Sequence, residues 1–243
     1  MKYPQSDLRK PKTLTAAVDS YRFGLALHLT ETQLRILTGF FRQPEIADKS
    51  LPGGRAWVGV QQVDGIGTIA IKHYHRGGLM RYIVKRHYFR FGKTRAQREF
   101  ELLHRAGHIG INVPQPVAYA YHGRLFYLAW LVTRKIRQAV SLARLSLENE
   151  ESAREAMLST IDQISILIQN GILHVDMHPG NVEVDTGGKV YLLDFDRGRN
   201  YRGSKAKLTL RYLARWRRAV LKHRLPNFLA EMMQEGLRSG LPL

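Results

Sequence analysis

Apolar positions along this chain change period more than once, and the changes divide it into three stretches. Residues 1–48 show no sustained period. Within them Thr30-Glu31-Thr32-Gln33-Leu34-Arg35-Ile36-Leu37 reads as a capped helical turn, ended at Gln43-Pro44. A new texture begins at Leu51-Pro52-Gly53-Gly54. Ala56–Val60 and Thr68–Lys72 read as two strands around the turn Asp64-Gly65-Ile66-Gly67. From Thr94 to Ala106 the spacing becomes helical, with Ala96, Glu99, Phe100, Leu102, Leu103 and Ala106 on one broad face. Pro114 and Pro116 break that pattern, and Val117–Tyr121 and Leu125–Leu131 predict two further strands. Val132–Lys135 is the expected linker.

Beyond it the reading is mainly helical. Glu151–Asn170 carries Ala153, Met157, Ile161, Ile164, Leu167 and Ile168 on one stripe, and Gly171 supplies the stop. Val182–Val184 and Lys189–Leu193 predict a hairpin around Asp185-Thr186-Gly187-Gly188. Leu208–Leu221 and Asn227–Leu237 predict two helices parted at Pro226. The sum is an α+β chain of two lobes. Residues 49–132 form a small β-rich N-lobe with one helix, and residues 133–243 a mainly helical C-lobe. Residues 1–48 are an N-terminal extension with no assigned role.

Composition adds three limits. With 44% apolar and 24% charged residues, 243 residues suffice for a sizeable core of an ordinary globular protein. The absence of cysteine excludes disulfide and thiol chemistry. No apolar run approaches the roughly 18 residues of a membrane span, and Met1-Lys2-Tyr3-Pro4-Gln5 lacks a signal-peptide core, so a cytoplasmic protein is expected.

Charge changes the picture more. The net charge is +18, and two blocks, Gly65–Arg98 and Arg197–Ala230, hold nine and eleven Lys/Arg with no Asp or Glu. Such fields attract nucleic acid or an anionic membrane surface.

The chemistry lies in His174-Val175-Asp176-Met177-His178-Pro179-Gly180-Asn181, with Asp194-Phe195-Asp196 downstream. This is the order and spacing of the protein-kinase signature, H-x-D-x-x-x-x-N and then D-F-x. Phosphoryl transfer needs a carboxylate for the acceptor hydroxyl and oxygen ligands for magnesium on the nucleotide phosphates. Asp176 is the candidate for the first role, Asn181 and Asp194 for the second, so ATP and Mg2+ are the expected cofactors. His174, Asp176 and His178 also have the spacing of metal ligands, but that reading leaves Asn181 and Asp194 without a role. His174 is expected to support the loop.

Lys72 ends Ile69-Ala70-Ile71-Lys72, like the lysine strand of kinases. Glu99, a carboxylate on an apolar helix face, requires a partner, and Lys72 is the natural one. Gly53 and Gly54 stand where a loop over the phosphates belongs, although two glycines before a strand more often make a turn. Asp196 replaces the final glycine of D-F-G. It is expected to pair with Arg197 or Arg199, or else to assist the metal. No A-P-E follows, and the 47 residues after Asp196 are too few for a full protein-kinase lower lobe.

These departures, with Leu192-Leu193-Asp194-Phe195-Asp196-Arg197-Gly198, resemble the lipopolysaccharide core kinases, and among them the 3-deoxy-D-manno-octulosonic acid (Kdo) kinases. Ile71-Lys72-His73-Tyr74-His75-Arg76-Gly77-Gly78-Leu79, Gln97–Leu103 and Val113-Pro114-Gln115-Pro116-Val117 carry the same likeness, which covers residues 51–222. Met177-His178-Pro179-Gly180 is closer to aminoglycoside and choline kinases. The resemblance implies a protein-kinase-like fold, ATP and Mg2+, and a sugar hydroxyl of Kdo-lipid A as acceptor. It places the protein peripherally on the cytosolic face of the inner membrane, with no nucleic acid as partner. Leu208–Leu221 fits either reading of its amphipathic pattern, apolar side in the core or Trp216 and the arginines on an anionic surface. Two rivals stand beside this reading. One is a kinase for a soluble small molecule or a protein; the other is a basic nucleic-acid-binding module, which gives the loop no purpose.

Overall fold

Alternation along the first half of the chain becomes one antiparallel sheet. The computed structural model describes residues 13–43, 57–74, 88–89, 92–124 and 126–239. Strands β1 (Leu14–Val18) and β2 (Tyr21–Leu25) come first, then helix α1 (Glu31–Arg42). Strands β3 (Trp57–Val63), β4 (Gly67–His73) and β5 (Tyr88–Phe89) precede helix α2 (Arg95–His108). Strands β6 (Pro116–His122) and β7 (Phe126–Arg134) complete this half. The sheet order is β1-β2-β6-β7-β4-β3, and β5 also pairs with β7.

Side chains two apart in a strand share a face, which sorts the sheet into two cores. Tyr127, Ala129 and Leu131 of β7 pack with Phe100 and Leu103 of α2. Trp130 and Val132 lie on the other face, with Ile69 and Ile71 of β4 and Leu34 and Leu37 of α1. A register shift between Pro116 and Ala118 lets Val117 and Ala118 both serve the α1 side.

Residues 14–42 therefore close one edge and one face of the sheet. The capping expected at Thr30 is present: its hydroxyl accepts from the Gln33 N–H (3.2 Å), and the Gln33 side chain accepts from the Thr30 N–H (2.9 Å). Gln33 also donates to the Asp64 carbonyl at 2.9 Å, tying α1 to the β3–β4 turn. Phe41 stacks on Trp130 with ring centroids 4.7 Å apart. Gly24 of β2 lies beneath the Tyr119 ring, where an added Cβ would clash with the ring carbons.

Strand β7 runs on through Val132–Arg134, paired to β4 on one side and β6 on the other. Val132 and Thr133 are β-branched and buried, so they complete the strand where a linker was expected. The chain leaves the sheet after Lys135, whose N–H donates to Thr68 O at 3.0 Å.

The second half contains β8 (Val140–Ser141), α3 (Leu142–Glu148), α4 (Glu150–Gln169) and β9 (Ile172–Leu173). It continues with β10 (Val182–Val184), β11 (Val190–Leu192), β12 (Arg199–Asn200), α5 (Lys205–Lys222) and α6 (Phe228–Ser239). This is the mixed fold expected, sheet first and helices after. The apolar stripe of α4 is buried, and Gly171 follows the helix with φ 60°. Trp216 of α5 is buried in the core, its Nε1–H donating to Leu229 O at 2.8 Å. It is therefore not a surface anchor.

One buried glutamine aims the hairpin. Gln163 of α4 accepts from the Asn112 N–H (2.9 Å) and donates to Val190 O (3.1 Å), while Leu192 N–H donates to Asn112 O (2.9 Å). Strand β11, which leads to Asp194, is thus held against α4 and against the loop after α2.

Candidate active site

Alternation along β4 buries Ile69 and Ile71 on the α1 side, so Lys72 faces the other way, toward α2. There its ammonium meets Glu99 at 3.0 and 2.9 Å and Asp194 Oδ1 at 2.7 Å. The expected Lys72–Glu99 pair is present, and Asp194, 122 residues along the chain, completes it. Glu99 is 3% exposed and also accepts from the Tyr74 hydroxyl. A carboxylate so buried stays ionised only with partners of this kind.

The titration directions follow. Burial opposes the Lys72 ammonium, but the charges of Glu99 and Asp194 outweigh it and raise its pKa. Burial would likewise raise the Asp194 carboxyl, yet the Lys72 charge and hydrogen bond hold it below the ordinary carboxylate range. Burial lifts the Glu99 carboxyl, with Lys72 pulling back.

The loop is built from its ends. At its entry, Tyr212 of α5 accepts from the His174 N–H and donates to Ile172 O, both at 2.8 Å. His174 is buried edge-on against Phe195 and supports the loop, as expected. Its Nε2 lies 2.7 Å from Leu193 O, and since a carbonyl only accepts, that nitrogen carries the proton. Burial lowers its pKa. At the exit a 3-10 turn spans Pro179–Asn181. Asn181 Nδ2 donates to the Asp176 carbonyl (2.9 Å), and its own carbonyl accepts from the Leu193 N–H (2.9 Å). Asn181 is thereby joined to Asp176 on one side and to the residue before Asp194 on the other. Asp194 itself takes φ 55°, a left-handed turn that ends β11 and one aspartate tolerates better than most.

Three partners carried no signal in the sequence. Tyr74 has been described. Asp196 pairs with Arg95 in the first turn of α2, Nε to Oδ1 at 3.1 Å with a second contact from Nη2, and not with Arg197 or Arg199. Arg197 has a positive φ of 63°, so the chain turns away at that point. Asp176 is held by Arg215 of α5, whose Nε and Nη2 both donate to Oδ1, the former at 3.0 Å. Tyr212 and Arg215, three residues apart, share a face of α5. Gly53 and Gly54 lie outside the described residues.

His174 cannot serve a zinc site with Asp176 and His178, because its Nε2 is committed to Leu193 and its ring is enclosed. Among the described residues no three His, Asp or Glu side chains form a metal-binding group. What remains is a lysine held by two carboxylates, beside a loop that presents Asp176 and Asn181. That arrangement suits a nucleotide's phosphates and an acceptor hydroxyl.

The segments that carry it match known proteins in sequence. Residues 43–230 match the model of the lipopolysaccharide kinase (Kdo/WaaP) family. The chain is 34% identical over 133 residues to a 3-deoxy-D-manno-octulosonic acid kinase of Vibrio vulnificus (strain CMCP6), covering 54% of this chain and 56% of that protein. The chain thus spans just over half the length of that relative. A kinase of the same name from Vibrio parahaemolyticus is 33% identical over 185 residues, 74% of this chain and 72% of the relative. One from Xylella fastidiosa (strain M12) is 28% identical over 218 residues, 87% and 86% of the two chains. The matched span takes in Lys72, Glu99, the loop from His174 to Asn181, and Asp194, and with it the chain belongs to the lipopolysaccharide kinase (Kdo/WaaP) family.

Proposed function

We propose that this protein is an ATP-dependent kinase that phosphorylates a hydroxyl of 3-deoxy-D-manno-octulosonic acid on Kdo-lipid A. The observation that carries the reading is the convergence of Lys72, Glu99 and Asp194, linked through Leu193 and Asn181 to Asp176. The names of the relatives supply the sugar, 3-deoxy-D-manno-octulosonic acid, and its attachment to lipid A is part of the proposal.

Asp176 receives the acceptor's proton. The acceptor oxygen bonds to the γ-phosphorus as the bond from phosphorus to the β,γ-bridging oxygen breaks. ADP departs with that electron pair, and the hydroxyl proton passes to the Asp176 carboxylate. Lys72 contacts the inner phosphates, and Glu99 with Tyr74 keeps its ammonium in place. Asn181 and Asp194 offer the hard oxygen donors that Mg2+ prefers, and one or two protein ligands suffice when phosphates and waters complete the shell. The Asn181 amide is oriented by its Nδ2–H bond to the Asp176 carbonyl. When bound there, Mg2+ would neutralise charge on the nucleotide phosphates.

The acceptor is lipid-linked, so the protein works at an anionic surface. Among the described residues no helix is long and apolar enough to cross a membrane. The outer face of α5 suits a peripheral contact instead. Leu210 and Leu221 are exposed there among Lys207, Arg211, Arg217 and Arg218. This side of the cytosolic leaflet also holds the ATP.

The test is mass spectrometry of Kdo-lipid A incubated with the purified protein, ATP and Mg2+. A single added phosphate, lost with Asp176→Ala, is expected. ATP hydrolysis without transfer would keep a kinase and discard this acceptor. Absence of both, with tight salt-dependent RNA or DNA binding, would replace the reading altogether.

A further inference from the structure

Arg215 stands where the proposed transfer gives it no duty. Its guanidinium covers Asp176 Oδ1, on the carboxylate that must meet the acceptor hydroxyl. Both partners reach solvent, Arg215 with 28% and Asp176 with 50% of the side chain exposed. An ion pair so exposed is weak and exchangeable. Asp176 Oδ2 lies 3.9 Å from His178 Nε2. Because His178 Nδ1 accepts from the Gly180 N–H at 3.0 Å, Nε2 is the nitrogen that carries the proton. The base is therefore flanked by two donors, a guanidinium on α5 and an imidazole on the loop.

A guanidinium fork is matched to a carboxylate, and the group it now holds is one. No Asp or Glu occurs from Arg197 to Ala230, so an incoming anion meets no opposing charge from α5. Resting on the acceptor proposed above, we infer that Arg215 is the residue that binds the acceptor sugar's own carboxylate. On binding, the guanidinium exchanges Asp176 for that group. The exchange frees Oδ1 for the hydroxyl and sets the sugar at a fixed distance from the base. A sugar without an acid group leaves the Arg215–Asp176 pair closed, which makes the pair a selectivity device.

The experiment compares Kdo-lipid A with the same lipid carrying its Kdo carboxyl as the methyl ester, using wild type, Arg215→Gln and Arg215→Lys. Esterification is expected to raise the wild-type acceptor KM about ten- to a hundred-fold, the range for losing a charged hydrogen-bonded contact. The ester's kcat falls as well, because Oδ1 stays capped by Arg215, while the KM for ATP stays close to its starting value. Arg215→Gln raises the KM for the free acid by a similar factor and shows no added loss on the ester, while Arg215→Lys falls between. Equal wild-type KM values for acid and ester would overturn the inference whatever the variants do, and so would losses that multiply. A fall in the kcat of Arg215→Gln on the free acid, at unchanged acceptor KM, would assign Arg215 to the transferring phosphoryl group instead. Transfer to neither lipid by the wild type would overturn the acceptor assignment, and this inference with it.

Discussion

Asp196 accepts from the Arg95 guanidinium, joining the residue that follows Asp194-Phe195 to the first turn of α2. The same helix carries Glu99, so both ends of the Lys72 site are referred to α2. A glycine at position 196 would leave that connection unmade.

Breaking this pair should loosen the site and the fold together. Arg95 and Asp196 keep 25% and 19% of their side chains exposed, so removing one partner leaves a partly desolvated charge behind. Asp196→Asn is expected to lower stability by about 2 kcal/mol, less than for a fully buried pair. Urea unfolding of the two single variants and of the double variant with Arg95→Ala checks this. A double variant no less stable than either single one is the expected result, and fully additive losses would refute the coupling.

Asn181 offers a test of the metal. Chelation of divalent cations should abolish transfer and restoration of Mg2+ should recover it. Asn181→Ala should raise the Mg2+ concentration for half-maximal rate about ten-fold, the lower end for lost metal-site contacts. Rates measured across a Mg2+ titration decide it, and an unchanged midpoint would remove Asn181 from the metal.

His174 makes stability depend on pH in a direction that can be worked out. Burial lowers its folded-state pKa from the ordinary 6.5. Below pH 6.5 the unfolded chain therefore binds a proton that the folded chain resists. The contribution is complete above that pH and is lost as pH falls, by at most about 1.4 kcal/mol per pH unit. Urea midpoints at pH 7.5 and 5.5 should differ more for the wild type than for His174→Gln. Parallel shifts in both proteins would place the titration elsewhere.

The outer face of α5 predicts surface binding. Lys207, Arg217 and Arg218 are exposed, and each basic residue near an anionic leaflet contributes about 1 kcal/mol. Replacing all three by glutamine should weaken binding to phosphatidylglycerol-containing vesicles by about a hundred-fold, leaving neutral vesicles unaffected. Co-sedimentation measures it. Because Trp216 is enclosed in the core, its fluorescence should not shift on vesicle binding.

Much of the site was legible because its residues lie in short segments whose spacing follows from chemistry. His174, Asp176 and Asn181 share one loop, Asp194 ends the next hairpin, and Lys72 ends a strand. The Lys72–Glu99 pair was readable because a carboxylate on an apolar helical face has few other ways to be satisfied. Its third member, Asp194, was not tied to it by anything in the chain.

Strands β1 and β2 went unread for a different reason. β1 is mostly exposed, so its apolar residues do not alternate, and the tight turn depends on Asp19 at φ 53° with Arg42 of α1 against its carboxylate at 2.6 Å. The linker was set too early because Val132 and Thr133 gain strand neighbours on both sides only once the sheet is assembled.

Sequence alone determined the textures of the two halves, the family and the residue types of the proposed transfer chemistry, since periodicity and motif spacing are properties of neighbouring positions. Only the tertiary structure decided that Arg215 covers Asp176, that Arg95 holds Asp196, and that Trp216 faces inward. Those contacts join segments tens of residues apart, and their partners are selected by packing and charge compensation that no local pattern encodes.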